Sequence, residues 1–186
     1  MDTTITLDQI LKLNKPAAKF LCPASANIFG IQFGRFKIRN MANNSNIVDV
    51  GPDEGTFIPV IKDDSERFIR YELPKDFLKL KMIGTTLQFK VGPKELKKFR
   101  MIERHYFGEK LLKSYDFTFG FCIPNSVNTW EAQYTVPPLT ESEIQEIVKS
   151  PWKTKSDSYY LNEDKLIMHH RSEYMYYEGK APPINA

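Results

Sequence analysis

Apolar side chains recur at every second position through most of the chain, which is the period of a β-strand with one face toward a core. Phe29, Ile31 and Phe33 fall on one face, and Phe36 and Ile38 resume in the opposite phase across Gly34, the pattern of a strand broken by a bulge or kink. Ile69, Tyr71 and Leu73 alternate with Arg70 and Glu72, and Leu87, Phe89 and Val91 alternate with Gln88 and Lys90. In SYDFTFGFCI the alternation predicts Tyr115, Phe117, Phe119, Phe121 and Ile123 on one face, with Ser114, Asp116, Thr118, Gly120 and Cys122 on the other. SYYL and LIMH read as two further strands joined by the acidic turn NEDK.

Helical signals are few. Thr140 followed by Glu143 is a capping box, and Leu139 with Ile144 forms a hydrophobic staple, so a helix is predicted to about Lys149, before Pro151. Thr6 with Gln9 predicts a second, short helix carrying Ile10, Leu11 and Leu13. The stretches from Asn40 to Asp53 and from Lys62 to Glu66 are polar and turn-rich, with TFIPVI between them. Many short strands without alternating helices predict an all-β antiparallel sandwich or barrel.

The stretch FRMIERHYF poses the chemical question. Phe99, Met101 and Phe107 share one face of a strand with Glu103 and His105, so alternation turns a carboxylate and an imidazole toward the core. Two readings stand side by side: a buried pair that satisfies itself, with an Arg or Tyr as further partner, or a pair used on a ligand. As general base and orienter the two are awkward, because same-face neighbours on a strand project side by side rather than converge. No nucleophile elbow, phosphate loop, H-E-x-x-H or dinucleotide glycine set occurs, so no enzyme is expected.

Composition narrows the classes further. With 186 residues one domain is expected, and the 41% hydrophobic and 13% aromatic content fits a folded core. The net charge of +3 is spread among acids, and KLK and KELKKFR are broken by Leu, Glu and Phe, so no nucleic-acid partner is expected. Two cysteines, Cys22 and Cys122, are too few for a disulfide scaffold and suit a reducing compartment. Cys22, Cys122, His105, His169 and His170 lack ligand-pair spacing, so neither a metal nor another cofactor is expected. The acidic start MDTTITLDQ lacks signal-peptide character, and no apolar run approaches the ~18 to 20 residues of a membrane span, so a cytoplasmic protein without stable membrane insertion is expected. Thirteen Phe, nine Tyr and two Trp exceed what a small sandwich needs to close its core, which points to an interior that surrounds a cavity, as in carriers of hydrophobic ligands.

FRMIERHYFGEKLLKSYDFTFGFCIPNSVNTW closely resembles the Unc-one-nineteen (retinal protein four) family of myristoyl-binding chaperones, within the phosphodiesterase delta-subunit-like lipid carriers. LCPASANIFGIQFGRFKIRNM, RFIRYELPKDFLKL, PPLTESEIQEIV and SDSYYLNEDKLIMHHRSEY extend the likeness over most of Leu21 to Tyr174. The resemblance implies an immunoglobulin-like β-sandwich over residues 21–178 with a hydrophobic lipid pocket between its sheets. It leaves an N-terminal segment with a short helix at 1–20 and a disordered tail at 179–186. It also implies a non-enzymatic carrier of N-myristoylated proteins, of the G-protein alpha-subunit or ciliary and flagellar cargo type. Such carriers unload when a GTP-bound Arf-like small GTPase binds, in the cytoplasm or near a cilium or flagellum.

Carried over at matching positions, the lipid-binding residues are Tyr71, Glu103 and His105, with Phe77, Phe89, Phe119, Tyr160 and Tyr174 as further walls. Tyr71 and Glu103 would hydrogen-bond the amide joining the acyl group to the cargo glycine. At ~0.8 kcal/mol per methylene, a buried myristoyl chain is worth on the order of 10 kcal/mol gross, whereas an unpaired buried amide costs about 1 to 3 kcal/mol; the walls therefore supply affinity and the polar groups selectivity. Asn125 and Trp130 in the IPNS and NTW stretch, and Val136 before the double proline, are spelled as in the prenyl-binding delta-subunit branch, while MIERHYF and LLKS follow the myristoyl branch. A prenyl-cargo carrier and a lipid-independent adaptor are the alternatives.

Overall fold

A computed structural model describes residues 5–179; the expected tail therefore lies, apart from Gly179, outside the described residues, as do the first four residues of the N-terminal segment. Among the described residues, nine strands form two sheets. β1 (Gln32–Asn40), β2 (Ser45–Val50), β4 (Met82–Lys90) and β7 (Val127–Thr135) make a four-stranded antiparallel sheet in the order β2-β1-β4-β7. β3 (Phe68–Pro74), β5 (Leu96–Phe107), β6 (Lys110–Cys122), β8 (Thr154–Asn162) and β9 (Lys165–Tyr177) make a five-stranded sheet ordered β3-β9-β8-β5-β6, in which only β3 runs parallel to its neighbour. The architecture is an immunoglobulin-like β-sandwich with few short helices.

Local chemistry explains the joints. Gly34 lies within the register shift of β1 between Phe33 and Phe36, where the ring of Phe57 occupies the space a side chain would need. Glu163 and Asp164 both take positive φ, the mirror-type turn whose twist matches the β8–β9 hairpin. Thr140 and Glu143 close both halves of the capping box at the start of α2 (Glu141–Val148), where Ile144 and Ile147 are buried at one end of the sandwich.

Two apolar clusters lie end to end between the sheets. One gathers Ile31, Phe89, Val91, Leu96, Phe99 and Tyr160; the other gathers Ile38, Leu73, Ile83, Tyr134, Ile144 and Tyr176. A third cluster sits outside the sandwich, on the back of the five-stranded sheet. There Ile10 of the short helix α1 (Leu7–Leu11) packs with Ile102, Tyr159, Leu161 and Leu166, and residues 5–22 cover them as a strap.

Polar side chains of the sheet hold this strap. Arg104 donates to the carbonyls of Ile10, Leu11 and Leu13, Asp157 accepts from the Ala17 amide at 2.9 Å, and Arg67 donates to the Cys22 carbonyl at 2.9 Å. The Leu21 amide donates to His169 Nδ1 at 3.1 Å, and His169 Nε2 lies 2.9 Å from Asp157.

Three expectations are corrected here. β5 is not half-buried: its second face, Ile102, Arg104 and Tyr106, is also buried, because the strap lies over it. The turn-rich stretch 40–53 contains a strand, β2, whose inward side chains are too few to show a period. The aromatic row of β6 does not continue to Ile123. Gly120 takes φ +93 at a register shift against β5, so the phase reverses: Cys122 is 1% exposed, and Phe121 and Ile123 face outward.

Candidate functional site

Pairing of the five-stranded sheet builds its inner face as successive rungs. Tyr115, Glu103, Ser158 and His170 oppose one another across β6, β5, β8 and β9. The adjoining rung on one side carries His105, Ser156 and Ser172, and the next carries Phe107, Thr154, Tyr174 and Tyr71. On the other side stand Phe117, Met101, Tyr160 and Met168. A polar band therefore crosses a floor that is otherwise aromatic and aliphatic, because each strand contributes one small or polar residue at the same level.

Glu103 and His105 are joined, with His105 Nε2 2.7 Å from Glu103 Oε1, and both are half-buried. The imidazole sits between two phenol rings, edge-on to Tyr115 at 5.8 Å and tilted against Tyr174 at 5.9 Å. Tyr174 stacks on Tyr71 at 5.4 Å and shares a hydrogen bond of 2.9 Å with Ser156. Tyr115 donates to the Thr135 carbonyl at 2.9 Å, linking β6 to β7, the edge strands of the two sheets. The hydroxyls of Tyr71 and Tyr160 form no side-chain hydrogen bond among the described residues, and both lie near enough to Glu103 to feel its charge.

Electrostatics keep these phenols protonated. Burial first, and the Glu103 carboxylate second, push Tyr71 and Tyr115 up to about 12 and raise Tyr160 and Tyr174 well above the ordinary phenol value. The tyrosines therefore remain neutral donors around one carboxylate. His170, whose ring packs edge-on against Phe33 and Tyr160, is pushed down to about 3 by burial and then by His169 and Arg67, so its ring is neutral as well.

Beyond this collar the interior is aromatic. Phe89, Phe99, Phe119 and Trp130 contact one another at ring distances of 5.2 to 5.9 Å, and Phe117 lies 4.8 Å from Tyr134. Phe99 and Phe89 are closed off, whereas Tyr71, Phe77, Phe107, Tyr115, Phe117 and Tyr174 keep accessible surface although they point between the sheets. Around the collar these rings are therefore only partly covered by their neighbours. A small, partly open cavity of about 30 Å³ lies near β1 and β9, lined by Ile31, Phe33, Ile58, Arg67, Met168 and His170, the last of which belongs to the polar band.

Of the residues singled out from sequence, Tyr71, Glu103, His105, Tyr160 and Tyr174 come together on one inner face, spread over four successive rungs. Phe89 and Phe119 meet at the deeper end. Phe77 stands apart, in a short 3₁₀ turn (Lys75–Lys79), stacked on Tyr176 at 6.5 Å. Ser156, Ser158, Ser172 and His170 were not anticipated; the signal was the spacing S-x-S-x-Y, which puts Ser156 and Ser158 in one row with Tyr160. Among the described residues no three His, Cys, Asp or Glu side chains gather as metal ligands, and no helix is long and apolar enough to cross a membrane.

Comparison with known proteins places this geometry in company. Residues 25–176 match the family model described as GMP-PDE, delta subunit. The chain is 41% identical over 181 residues to protein unc-119 homolog B-B of Xenopus laevis, covering 93% of this chain and 74% of that protein. It is 39% identical over 191 residues to protein unc-119 homolog B of Homo sapiens, covering 95% and 74%. To protein unc-119 of Caenorhabditis elegans it is 40% identical over 174 residues, covering 92% and 80%.

Proposed function

The chain belongs to the GMP-PDE delta subunit family, with unc-119 proteins among its relatives, and on that basis we propose that it is a non-enzymatic carrier for lipid-modified proteins. Its cargo is N-myristoylated protein: the acyl chain enters between the sheets, the aromatic walls cover it, and the collar receives the amide that follows it. The observation that carries this reading is the Glu103–His105 pair set among half-buried aromatic rings on the inner face of the five-stranded sheet.

The division of labour follows from the chemistry of the ligand. An acyl chain has no polar atoms, so Phe89, Phe99, Phe119 and Trp130 can bind it only through contact area. The linking amide has one N–H and one C=O. Glu103 accepts from the N–H, while the protonated phenol of Tyr71 donates to the C=O. Both partners are inside the sandwich before ligand arrives, so little ordering is needed on binding. Because a myristoyl chain alone holds a membrane only weakly, a carrier of this affinity can withdraw its cargo from one membrane and release it at another, such as that of a cilium or flagellum. Release by a GTP-bound Arf-like GTPase completes the proposed cycle, since tight burial needs a second ligand to open the sandwich.

Prenylated cargo is the second reading, favoured by Trp130, which lines the deep end of the interior. Titration of the chain with N-myristoyl-glycine, farnesyl and unmodified peptides separates the readings. The myristoyl peptide is expected to bind best and to raise the melting temperature. Equal binding of the unmodified peptide overturns the lipid reading in favour of an adaptor.

A further inference from the structure

The turn Ile123–Ser126, which leads from β6 in one sheet to β7 in the other, forms an exposed apolar tip. Phe121 is 56%, Ile123 64% and Val127 60% exposed, and together with Ile28 at 59% they are the four most exposed large hydrophobic side chains among the described residues. They belong to one end of the sandwich. The Asn125 amide donates to the Gly92 carbonyl at 2.8 Å and the Gly92 amide to the Phe29 carbonyl at 2.8 Å, which ties the tip to the turn 92–95 and to the segment holding Ile28.

The bulge at Gly120 creates this tip. Without the phase reversal Phe121 and Ile123 would point into the core; with it, they are turned to solvent, and nothing among the described residues covers them.

The rim is basic. Lys90 opposes Val127 in the ladder, and Lys97 and Lys98 follow Leu96, which opposes Cys122. In residues 90–98 four lysines, Lys90, Lys94, Lys97 and Lys98, stand against Glu95, a net of +3 and as much as the whole chain carries. Lys97 alone among them has acidic partners, Glu95 and Glu163, each 4.0 Å away; Lys90, Lys94 and Lys98 form no ion pair among the described residues. A net charge of +3 therefore lies beside the exposed apolar side chains.

We infer that this tip is a docking surface for an anionic lipid membrane. Apolar side chains enter the headgroup region while lysines around them meet lipid phosphates and carboxylates. Charge complementarity selects that occupant, since an apolar protein surface would gain nothing from three unpaired lysines. The tip lies seven residues along β5 from Glu103, roughly 23 Å at strand rise, so docking leaves the collar free.

Cosedimentation of the cargo-free chain with phosphatidylcholine vesicles, with and without phosphatidylserine, tests the inference independently of any cargo. Binding to the serine-containing vesicles is expected to be roughly tenfold stronger or more, and to weaken with salt. The triple variant Phe121→Ser, Ile123→Ser, Val127→Ser and the separate variant Lys90→Gln, Lys94→Gln, Lys98→Gln should each lose that binding while keeping the melting temperature and the affinity for acylated peptide. Failure to bind anionic vesicles, or binding unchanged in both variants, overturns the inference. So does a concentration-dependent dimer of the parent chain that the serine variant abolishes, because the tip would then be an interface between copies.

Discussion

His105 Nε2 and Glu103 Oε1 stand 2.7 Å apart on the inner face of β5, so the two ionisable groups that alternation turns toward the core satisfy each other there. The pairing uses one oxygen of the carboxylate. Oε2 has no hydrogen-bond partner among the described residues and is available to a ligand N–H, so self-satisfaction and ligand reading are compatible.

Replacing that carboxylate separates the two roles. Glu103→Gln keeps shape and a partner for His105 but removes a charged acceptor, and is expected to weaken an N-myristoyl-glycine peptide by about 1.5 to 3 kcal/mol, on the order of 10- to 100-fold in Kd. Tyr71→Phe removes a neutral donor and should cost less, about 1 kcal/mol. Isothermal titration with each variant, checked for an unchanged melt, measures both; no change for either leaves the pair a purely structural one.

The strap gives a stability prediction. Arg104 is buried and donates to three carbonyls of residues 10–13. Arg104→Met strands those carbonyls and leaves the buried Asp157 without the neighbouring charge across the ladder, at an expected cost of about 2 to 4 kcal/mol. Limited proteolysis should then cut at Lys12, Lys15 or Lys19 before it attacks the sandwich.

Gly120 tests the bulge. At φ +93 a side chain is strained, yet nothing lies within 4 Å of where a Cβ would stand, so Gly120→Ala should cost about 1 to 2 kcal/mol from backbone alone. Gly120→Asn should cost less, because Asn tolerates positive φ. Equal melting temperatures for the two variants would point to packing instead.

Acid stability depends on two buried histidines. Burial is the main cause holding both His169 and His170 below the ordinary value of 6.5, the latter at about 3; Asp157 opposes the shift at His169, while Arg171 and Arg67 reinforce it. An unfolded chain takes up these protons as pH falls below about 6.5 and the folded chain resists, so stability is complete above that pH and declines toward pH 3. The slope is at most about 1.4 kcal/mol per pH unit for each histidine. Melting temperatures between pH 7 and pH 4 should fall less steeply in His170→Gln than in the parent.

Much of this site could be read from the chain before any fold was known. Alternation put Glu103 and His105 on the inner face of β5, because a strand with alternating residues carries its orientation in its sequence; Tyr160, in the strand SYYL, was named only by the family resemblance. The strap could not be read this way. Once residues 5–22 cover the second face, Ile102, Arg104 and Tyr106 are as buried as Phe99, and a polar residue such as Arg104 gives no sign of it. The tip escaped for the opposite reason: the period of two runs unbroken through Phe121, and only the left-handed φ of Gly120 reverses it. Cross-strand partners such as His170 belong to pairing register, which no single strand encodes.

The most direct measurement is a calorimetric titration of the chain with one peptide in three forms: N-myristoylated on its first glycine, farnesylated, and unmodified. Tight binding of the myristoylated form alone, weakened by Glu103→Gln, is the expected result. Indistinguishable affinities for the myristoylated and unmodified forms would contradict the assignment of the collar and its aromatic interior to lipid.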